Sequence, residues 1–378
     1  MNKRQTVFLA SPYGQVGGGM GSIMVYLASM RPEFWGRFEL KRLESRGGRH
    51  IVLSPFYLAA AVWRIFHEAV FGRLAVVHLN LAERGSVYRK AVLLAATKLA
   101  GGRVLLHLHA AQIIPYHASA GRTGRALMGW MFRSADQCVV LGEVWQRWVV
   151  DTFAVPPNRI RVIYNGVPAT VAPPSAAKRG GRFHLLFVGN LHDRKGVRDL
   201  LAAFARPGLK ARDIVLTMAG GGAVDLFRAM ATELGIGDRV TFTGWVSQDD
   251  ARNLMVDADA LILPSYDEGL PLVILEALAS GTPVICTPVG SIPEVLEHRH
   301  TAWFVTPGDA AGIEAAILTL CDHPDIGRDL STAGTALYER LFTMEAFARS
   351  IGSLYAALAP RDGNMTSSVW PPVKEGGR

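Results

Sequence analysis

Cysteine is scarce in this chain of 378 residues, which has only Cys138, Cys286 and Cys321. Three thiols, widely spaced and set in apolar runs, support neither a disulfide framework nor a zinc cluster, and they fit a reducing cytoplasm. Long hydrophobic runs are missing as well. The longest uncharged stretch, Gln5 to Met30, is broken by Gly14, Gly17, Gly18, Gly19 and Gly21, which would leave backbone groups unsatisfied in lipid, so no membrane-spanning helix is expected. Met1-Asn-Lys-Arg carries the charge of a signal peptide, but the apolar run behind it stops after Ala10 and export is not expected. Acid is what the first half lacks. Residues 1–180 hold 23 Lys+Arg against 8 Asp+Glu, a net +15, whereas residues 181–378 hold 17 against 24, a net −7. Halves of opposite sign have different partners. The basic half suits a phosphorylated substrate or anionic lipid, with a merely solvated basic face as the alternative. No stacking platform or recognition helix is evident, so nucleic acid is not expected as a partner.

What is present is a globular composition, 49% hydrophobic with 39 glycines, and a length that exceeds one ordinary core, so two domains are expected. Short buried-type runs at Thr6–Ala10, Ala75–Leu79, Arg103–Leu108 and Gln137–Leu141 read as parallel strands. Between them Gly21–Met30, Leu58–Phe71, Tyr88–Ala100, Gly124–Arg133 and Glu143–Phe153 read as helices. From Pro168 to Gly181 periodicity vanishes and three prolines appear, which marks a linker between a domain at 1–167 and one at 182–343. Alternation restarts with strands at Phe183–Val188, Ile214–Met218, Val240–Thr243, Ala260–Leu263 and Val284–Cys286, then helices at Asp309–Leu320 and Met344–Leu358, and residues 359–378 read as a frayed tail. The fold class is α/β: two doubly wound, Rossmann-like domains, with ligand sites outside the carboxyl ends of the strands and a cleft between the domains.

Chemistry concentrates in Leu261-Ile-Leu-Pro-Ser-Tyr-Asp-Glu-Gly-Leu-Pro-Leu-Val-Ile-Leu-Glu276. Pro271 suits a first helical turn, so the backbone amides from Gly269 through Leu270 and Leu272 to Val273 can face an anion at the positive end of a helix dipole. Glu268 precedes that helix and Glu276 lies inside it, and carboxylates accept hydrogen bonds from vicinal hydroxyls. A surface loop glutamate and a solvated helix glutamate would be the plainer account, but Glu276 sits among Val-Ile-Leu and Ala-Leu-Ala, where a charge needs a partner.

Glu268 and Glu276 with seven residues between them, and Glu-Gly-Leu-Pro between Leu-Pro-Ser and Ala-Ser-Gly-Thr-Pro-Val, resemble the donor signature of the group 1, family 4 retaining glycosyltransferases. Val162-Ile-Tyr-Asn-Gly-Val167, Phe187-Val-Gly-Asn-Leu-His-Asp-Arg-Lys-Gly196 and Val289-Gly-Ser-Ile-Pro-Glu-Val295 extend the resemblance over most of residues 5–358. It implies a GT-B fold, with Glu268 at the transferred sugar and Glu276 at the nucleotide ribose. It also implies Arg194 and Lys195 at the donor phosphates, Val246 beside Trp245 near the base, with packing as the equal alternative for Trp245, and the helix Met344–Leu358 crossing back to the first domain. Physically, two cations next to the helix start at Gly196 suit a diphosphate. Many relatives have arginine where this chain has Asn190, so Arg194 and Lys195 carry more of the charge.

Gly14-Gln-Val-Gly-Gly-Gly-Met-Gly-Ser22 fails the dinucleotide fingerprint, having serine at the last position and no acidic strand end some 20 residues on. The resemblance gives Gly18 and Gly19 a different task, close approach of backbone to donor phosphate and acceptor. His107 and His109 end a strand and point the same way. The resemblance places His109 near the sugar and its departing phosphate, with a structural role as the alternative. Asp257-Ala-Asp259 mimics a metal-binding pair but joins a helix to a strand, and no metal or other cofactor is expected. The segment Ala120–Arg133, with Arg122, Arg125 and Arg133 beside Leu127, Trp130, Met131 and Phe132, suits a membrane surface as well as ordinary packing. The expected activity is metal-independent, retaining transfer of a hexose from a UDP-, GDP- or ADP-sugar to a lipid-linked or saccharide acceptor, in building cell-surface polysaccharide or glycolipid. The expected location is the cytoplasm, peripheral on the inner face of the membrane. A soluble glucan or disaccharide synthase, a nucleotide-sugar epimerase, a phosphorylase and a non-catalytic sugar-nucleotide binder are the alternatives.

Overall fold

The computed structural model describes residues 4–11, 18–47, 51–109, 111–170 and 181–359. Two compact units emerge, one of residues 1–166 with 344–378 and the other of residues 167–343. Most of the expected linker, residues 171–180, and the expected tail from residue 360 lie outside the described residues.

In chain order the first unit runs β1 (Gln5–Ala10), α1 (Gly18–Ser29), β2 (Phe38–Leu43), α2 (Ser54–Val70), β3 (Leu74–Leu81), α3 (Gly85–Leu99), β4 (Arg103–Leu108), α4 (Ile113–Ser119), α5 (Arg122–Ser134), β5 (Gln137–Val140), α6 (Glu143–Phe153) and β6 (Ile160–Val162). The strands form one parallel sheet in the order β2-β1-β3-β4-β5-β6. β1, β3 and β4 are mostly apolar and buried beyond their first residue, because parallel central strands are covered on both faces. β2, Phe-Glu-Leu-Lys-Arg-Leu, escapes a reading based on buried runs, since at the sheet edge only Phe38 and Leu43 are buried.

The second unit runs β7 (Phe183–Val188), α7 (Val197–Phe204), α8 (Pro207–Lys210), β8 (Ile214–Ala219), α9 (Val224–Glu233), β9 (Val240–Gly244), α10 (Gln248–Asp257), β10 (Ala260–Leu263), α11 (Leu272–Ala279), β11 (Val284–Cys286), α12 (Ile292–Val295), β12 (Trp303–Phe304), α13 (Ala310–Asp322) and α14 (Pro324–Leu341). Its parallel sheet has the order β12-β11-β10-β7-β8-β9. Side chains close helix starts where the sequence provides them, Ser247 Oγ accepting from Asp250 N (3.1 Å) and Asp309 Oδ1 from Gly312 N (2.9 Å), each cap contributing about 1 kcal/mol.

The last helix, α15 (Met344–Leu358), belongs to the first unit and packs on β3. Phe347, Ile351 and Tyr355 are completely buried there, and each apolar side chain removed from water stabilises by about 2–3 kcal/mol.

Candidate functional site

In an open parallel sheet, ligands sit outside the carboxyl ends of the strands at the place where the strand order reverses. In the second unit that place lies between β7 and β10, and in the first between β1 and β3.

The chain leaving β7 passes exposed Asn190 and makes one short turn, Asp193–Lys195. It then reaches Gly196 at φ 68°, where a Cβ would lie 2.0 Å from Pro264 O at the end of β10. Only glycine permits that approach, and it lays Arg194 and Lys195 against the loop leading to α11. Tyr266 N donates to Arg194 O (2.8 Å), and Arg194 Nη1 donates to Asp267 O (2.6 Å). Lys195 Nζ pairs with Glu268 Oε1, which also accepts from Ser265 Oγ (2.7 Å). Glu268 is 6% exposed, so its charge is tolerable only because it is paired. Among the described residues no hydrogen bond forms to Glu268 Oε2.

Two further contacts brace the loop. Gly290, at φ 60°, lies so close that a Cβ would sit 1.9 Å from Glu268 O, and Ser291 N donates to Gly269 O (3.0 Å). Gly269 and Leu270 are buried, and Pro271 (φ −69°, ψ 128°) stands just before α11 rather than within its first turn. Its extended ψ ends the loop, so the amides of Leu272 and Val273 open the helix. Those amides have no intrahelical acceptor, and none is found for them elsewhere among the described residues. Glu276 is half-buried a turn further on, and its carbonyl receives Ser280 Oγ (2.8 Å).

Sequence reasoning missed the run Gly220-Gly221-Gly222 after β8. A Cβ on Gly220 would lie 2.0 Å from Gly189 O, and one on Gly222 would lie 2.5 Å from Leu191 O. The run braces the chain around Asn190 by backbone contact, and three glycines at a strand end were the available signal. Val246 is half-buried beside Trp245, which is 58% exposed and so not a packed residue. Asp259 is used structurally, its Oδ2 accepting from His184 N (2.8 Å) at the amino end of the sheet. No cluster of three or more His, Cys, Asp or Glu poised for a metal occurs among the described residues.

At the reversal in the first unit, Ala10 O receives buried Lys90 Nζ (2.7 Å) and Asn80 Nδ2 (3.4 Å). That orients the Asn80 amide, whose Oδ1 then accepts from His109 Nε2 (2.9 Å), leaving His109 Nδ1 as the acceptor of a neutral ring. His109 is half-buried at the end of β4, its ring 3.9 Å from that of His107. His107 is fully buried and joins a chain the sequence did not announce: His107 Nδ1 to His78 Nε2 (3.1 Å), and His78 Nδ1 to Tyr355 OH (2.7 Å). His107 Nε2 has no partner among the described residues. Burial drives the pKa of His109 down to about 3. Burial and then the neighbouring His109 take His78 to about 3 as well, and His107 well below its ordinary value. Burial, then Arg89, lowers Lys90 to about 7. Residues 12–17 of the glycine segment lie outside the described residues, while Gly18 and Gly19 fall in the first turn of α1 rather than in a loop.

Of the two readings of residues 120–133, ordinary packing accounts for three of the apolar residues, while Trp130 stays exposed. Met128, Met131 and Phe132 of α5 are fully buried, Phe132 stacking on Phe153 at 4.8 Å, because α5 and α6 cover one another.

Comparison with known proteins agrees with this architecture. The family model described as glycosyl transferases group 1 matches residues 170–336, and the one described as glycosyltransferase family 4 matches residues 31–171. A glycogen synthase of Mycobacterium tuberculosis is 29% identical over 256 residues, 67% of this chain and 61% of that protein. A D-inositol 3-phosphate glycosyltransferase of Thermobispora bispora is 30% identical over 245 residues, 60% of this chain and 57% of that protein. The chain thus spans about six-tenths of the length of such relatives. Among solved structures, sucrose-phosphate synthase from Thermosynechococcus elongatus superposes with a TM-score of 0.79 at 22% identity, covering 94% of this chain and 99% of that one. Anabaena HepE in complex with UDP and glucose gives 0.75 at 18%, covering 94% and 100%. The two matched families together account for residues 31–336, and the chain belongs to the group 1, family 4 glycosyltransferases of GT-B fold.

Proposed function

We propose that this chain is a hexosyltransferase that takes a sugar from a nucleoside diphosphate held by the second unit and delivers it to a lipid-linked or saccharide acceptor, in the assembly of cell-surface polysaccharide or glycolipid. The observation that carries the reading is the buried Lys195–Glu268–Ser265 group beside the first amides of α11. An ammonium has three donors, so Lys195 can keep Glu268 with one and meet a phosphate oxygen with another. Together with Arg194 and the amides of Leu272 and Val273 it would stabilise the charge that grows on a departing diphosphate, which is where preorganised donors contribute most. Glu268 Oε2 is left for a sugar hydroxyl, and the ribose is assigned to Glu276. Neutral His109 offers Nδ1 as a hydrogen-bond acceptor, the part in the transfer that the family resemblance assigns to it.

No protein nucleophile is evident in this arrangement, and reaction on one face of the sugar, with retention, is the mechanism the family resemblance supports. The phosphate charge is met by cations and helix amides, so divalent metal is not required in this reading. HepE, of the same fold, is known in complexes with UDP and with UDP-glucose, which makes UDP-sugars the first donors to try, with GDP- and ADP-sugars beside them. Among the described residues no helix is long and apolar enough to cross a membrane, and the location proposed is the cytoplasm at the inner membrane face.

The test is incubation of purified protein with UDP-, GDP- and ADP-sugars and a membrane extract, reading nucleotide release and labelled lipid. Release with one base, labelled lipid, and persistence in chelator are expected. Turnover only after adding divalent metal would overturn the metal-free mechanism, and donor binding without turnover on any acceptor would overturn the assignment as an enzyme.

A further inference from the structure

The outer face of α2 carries apolar residues in a line. Phe56, Trp63 and Val70 are spaced by seven, two helical turns apart on one side, and are 73%, 64% and 82% exposed. Exposed Val52 extends this line before the helix and exposed Phe71 beyond it. The neighbouring helix α3 packs against α2 and leaves Tyr88, Val92 and Leu99 outward at helical spacing. Scattered exposed apolar residues are normal, but two adjacent stripes make a patch that marks a binding surface.

Its charge identifies the partner. The one acid on α2, Glu68, is buried and engaged by Thr6 (2.9 Å), Lys41 (3.1 Å) and Arg73 (2.8 Å). The outer face of α2 is therefore free of negative charge. At the amino end of α2, Gly47 (φ 77°) turns the chain so tightly that a Cβ would lie 2.6 Å from the Tyr57 ring. That turn sets Arg46 beside the start of α2 and near Arg89 of α3, where burial and then the repulsion of Arg46 lower the Arg89 pKa. Neither guanidinium pairs with a carboxylate among the described residues. Two like charges held together without acid make poor company for a second copy of the same basic face, but they complement phosphate headgroups. Aromatic residues beside cations above an aliphatic stripe are what an interfacial helix presents to a bilayer.

We infer that the paired outer faces of α2 and α3 dock this protein on an anionic membrane, Phe56, Trp63 and Val70 entering the acyl boundary while Arg46 and Arg89 hold headgroup phosphates. The inference rests on the proposed lipid-linked acceptor for its purpose, since docking would bring the basic unit to that acceptor, but the binding itself needs no donor.

The full chain is sedimented with vesicles of phosphatidylcholine alone and of equal parts phosphatidylcholine and phosphatidylglycerol. The wild type is expected to bind the mixed vesicles preferentially. F56S/W63S/V70S is expected to weaken that binding about a hundredfold, and R46Q/R89Q about tenfold with most of the preference for anionic lipid lost. Nucleotide-sugar binding, measured in parallel, reports on the untouched second unit and on folding. Wild-type protein that ignores vesicles, or triple-variant protein that binds as the wild type does, overturns the inference while leaving the proposed donor site standing. A wild-type dimer that the triple variant converts to monomer, without vesicle binding by either, assigns the face to a second copy instead. Vesicle binding without nucleotide-sugar binding would leave the docking surface standing and remove the proposed function.

Discussion

The two units share a parallel six-stranded plan and treat buried polar groups in opposite ways. At its reversal point the second unit keeps a cation and an anion together, Lys195 with Glu268. The first unit gathers three imidazoles and the buried Lys90 with no carboxylate among them, and burial suppresses their charge. The lesson is electrostatic. A paired site is ready to meet a diphosphate by rearranging donors it already presents. An unpaired site stays neutral and offers lone pairs and hydrogen-bond geometry to uncharged hydroxyls. The opposite net charges of the two halves do not reveal this, because the groups concerned are a small and mostly hidden minority.

The strongest way to break the comparison is to unpair the second unit. Lys195→Ala is expected to lower kcat by about a thousandfold, as loss of a preorganised donor does. It also leaves Glu268 buried with Ser265 alone, so stability falls by about 3 kcal/mol. Adding Glu268→Gln should restore part of the stability and none of the activity, and a double-mutant cycle by urea unfolding with parallel turnover assays separates the two. Next comes His109→Ala, for which a loss of about a hundredfold in transfer is expected. In the wild type the rate should show no step at the ordinary imidazole pKa of 6.5, since the His109 ring titrates at about 3. A pH–rate profile with a step near that ordinary value would remove the neutral-ring account.

Gly290→Ala probes how the paired loop is held. With φ at 60° and a Cβ driven against Glu268 O, it should cost about 2–3 kcal/mol, read as an earlier unfolding transition of the second unit. The smallest effect is a linkage in the first unit. The His78 pKa is depressed from 6.5 to about 3 on folding. Between those values the unfolded chain binds more protons, and stability present above the ordinary pKa is lost as pH falls through the folded one. Lys90 behaves likewise between 10.5 and about 7, so Lys90→Met should stabilise the first unit below neutral pH by about 1 kcal/mol. Thermal unfolding across pH compares the variant with the wild type, and an unchanged or lower midpoint for Lys90→Met would mean that the ammonium is not held at a cost.

Strands such as β7 and β10 were legible because a strand buried on both faces writes itself as an apolar run. The edge strand β2 was not, because half of it faces water. The loop at Glu268 was legible as a motif, while its braces were not: Gly196, Gly220 and Gly290 matter through backbone oxygens distant in sequence, and nothing in a local pattern announces which carbonyl a glycine will meet. The hydrogen-bonded chain from Tyr355 through His78 to His107 was hidden for a similar reason. His78 stands opposite Leu105 in the register and Asn80 opposite His107, so the imidazoles meet diagonally. The choice between the two readings of α5 was not legible either, because an amphipathic sequence shows an apolar face and only packing decides what covers it.

One consequence of α15 concerns how the protein is made. Tyr355 closes the hydrogen-bonded chain at His78, and Phe347 packs near His107 at 6.3 Å, yet both are synthesised after the whole second unit. During translation the first unit is begun first and completed last, holding an uncovered apolar face over β3 until residues 344–358 emerge. Chimeras that exchange one half between relatives must therefore carry that terminal helix along with the amino-terminal piece, or the exchanged unit will lack its final layer.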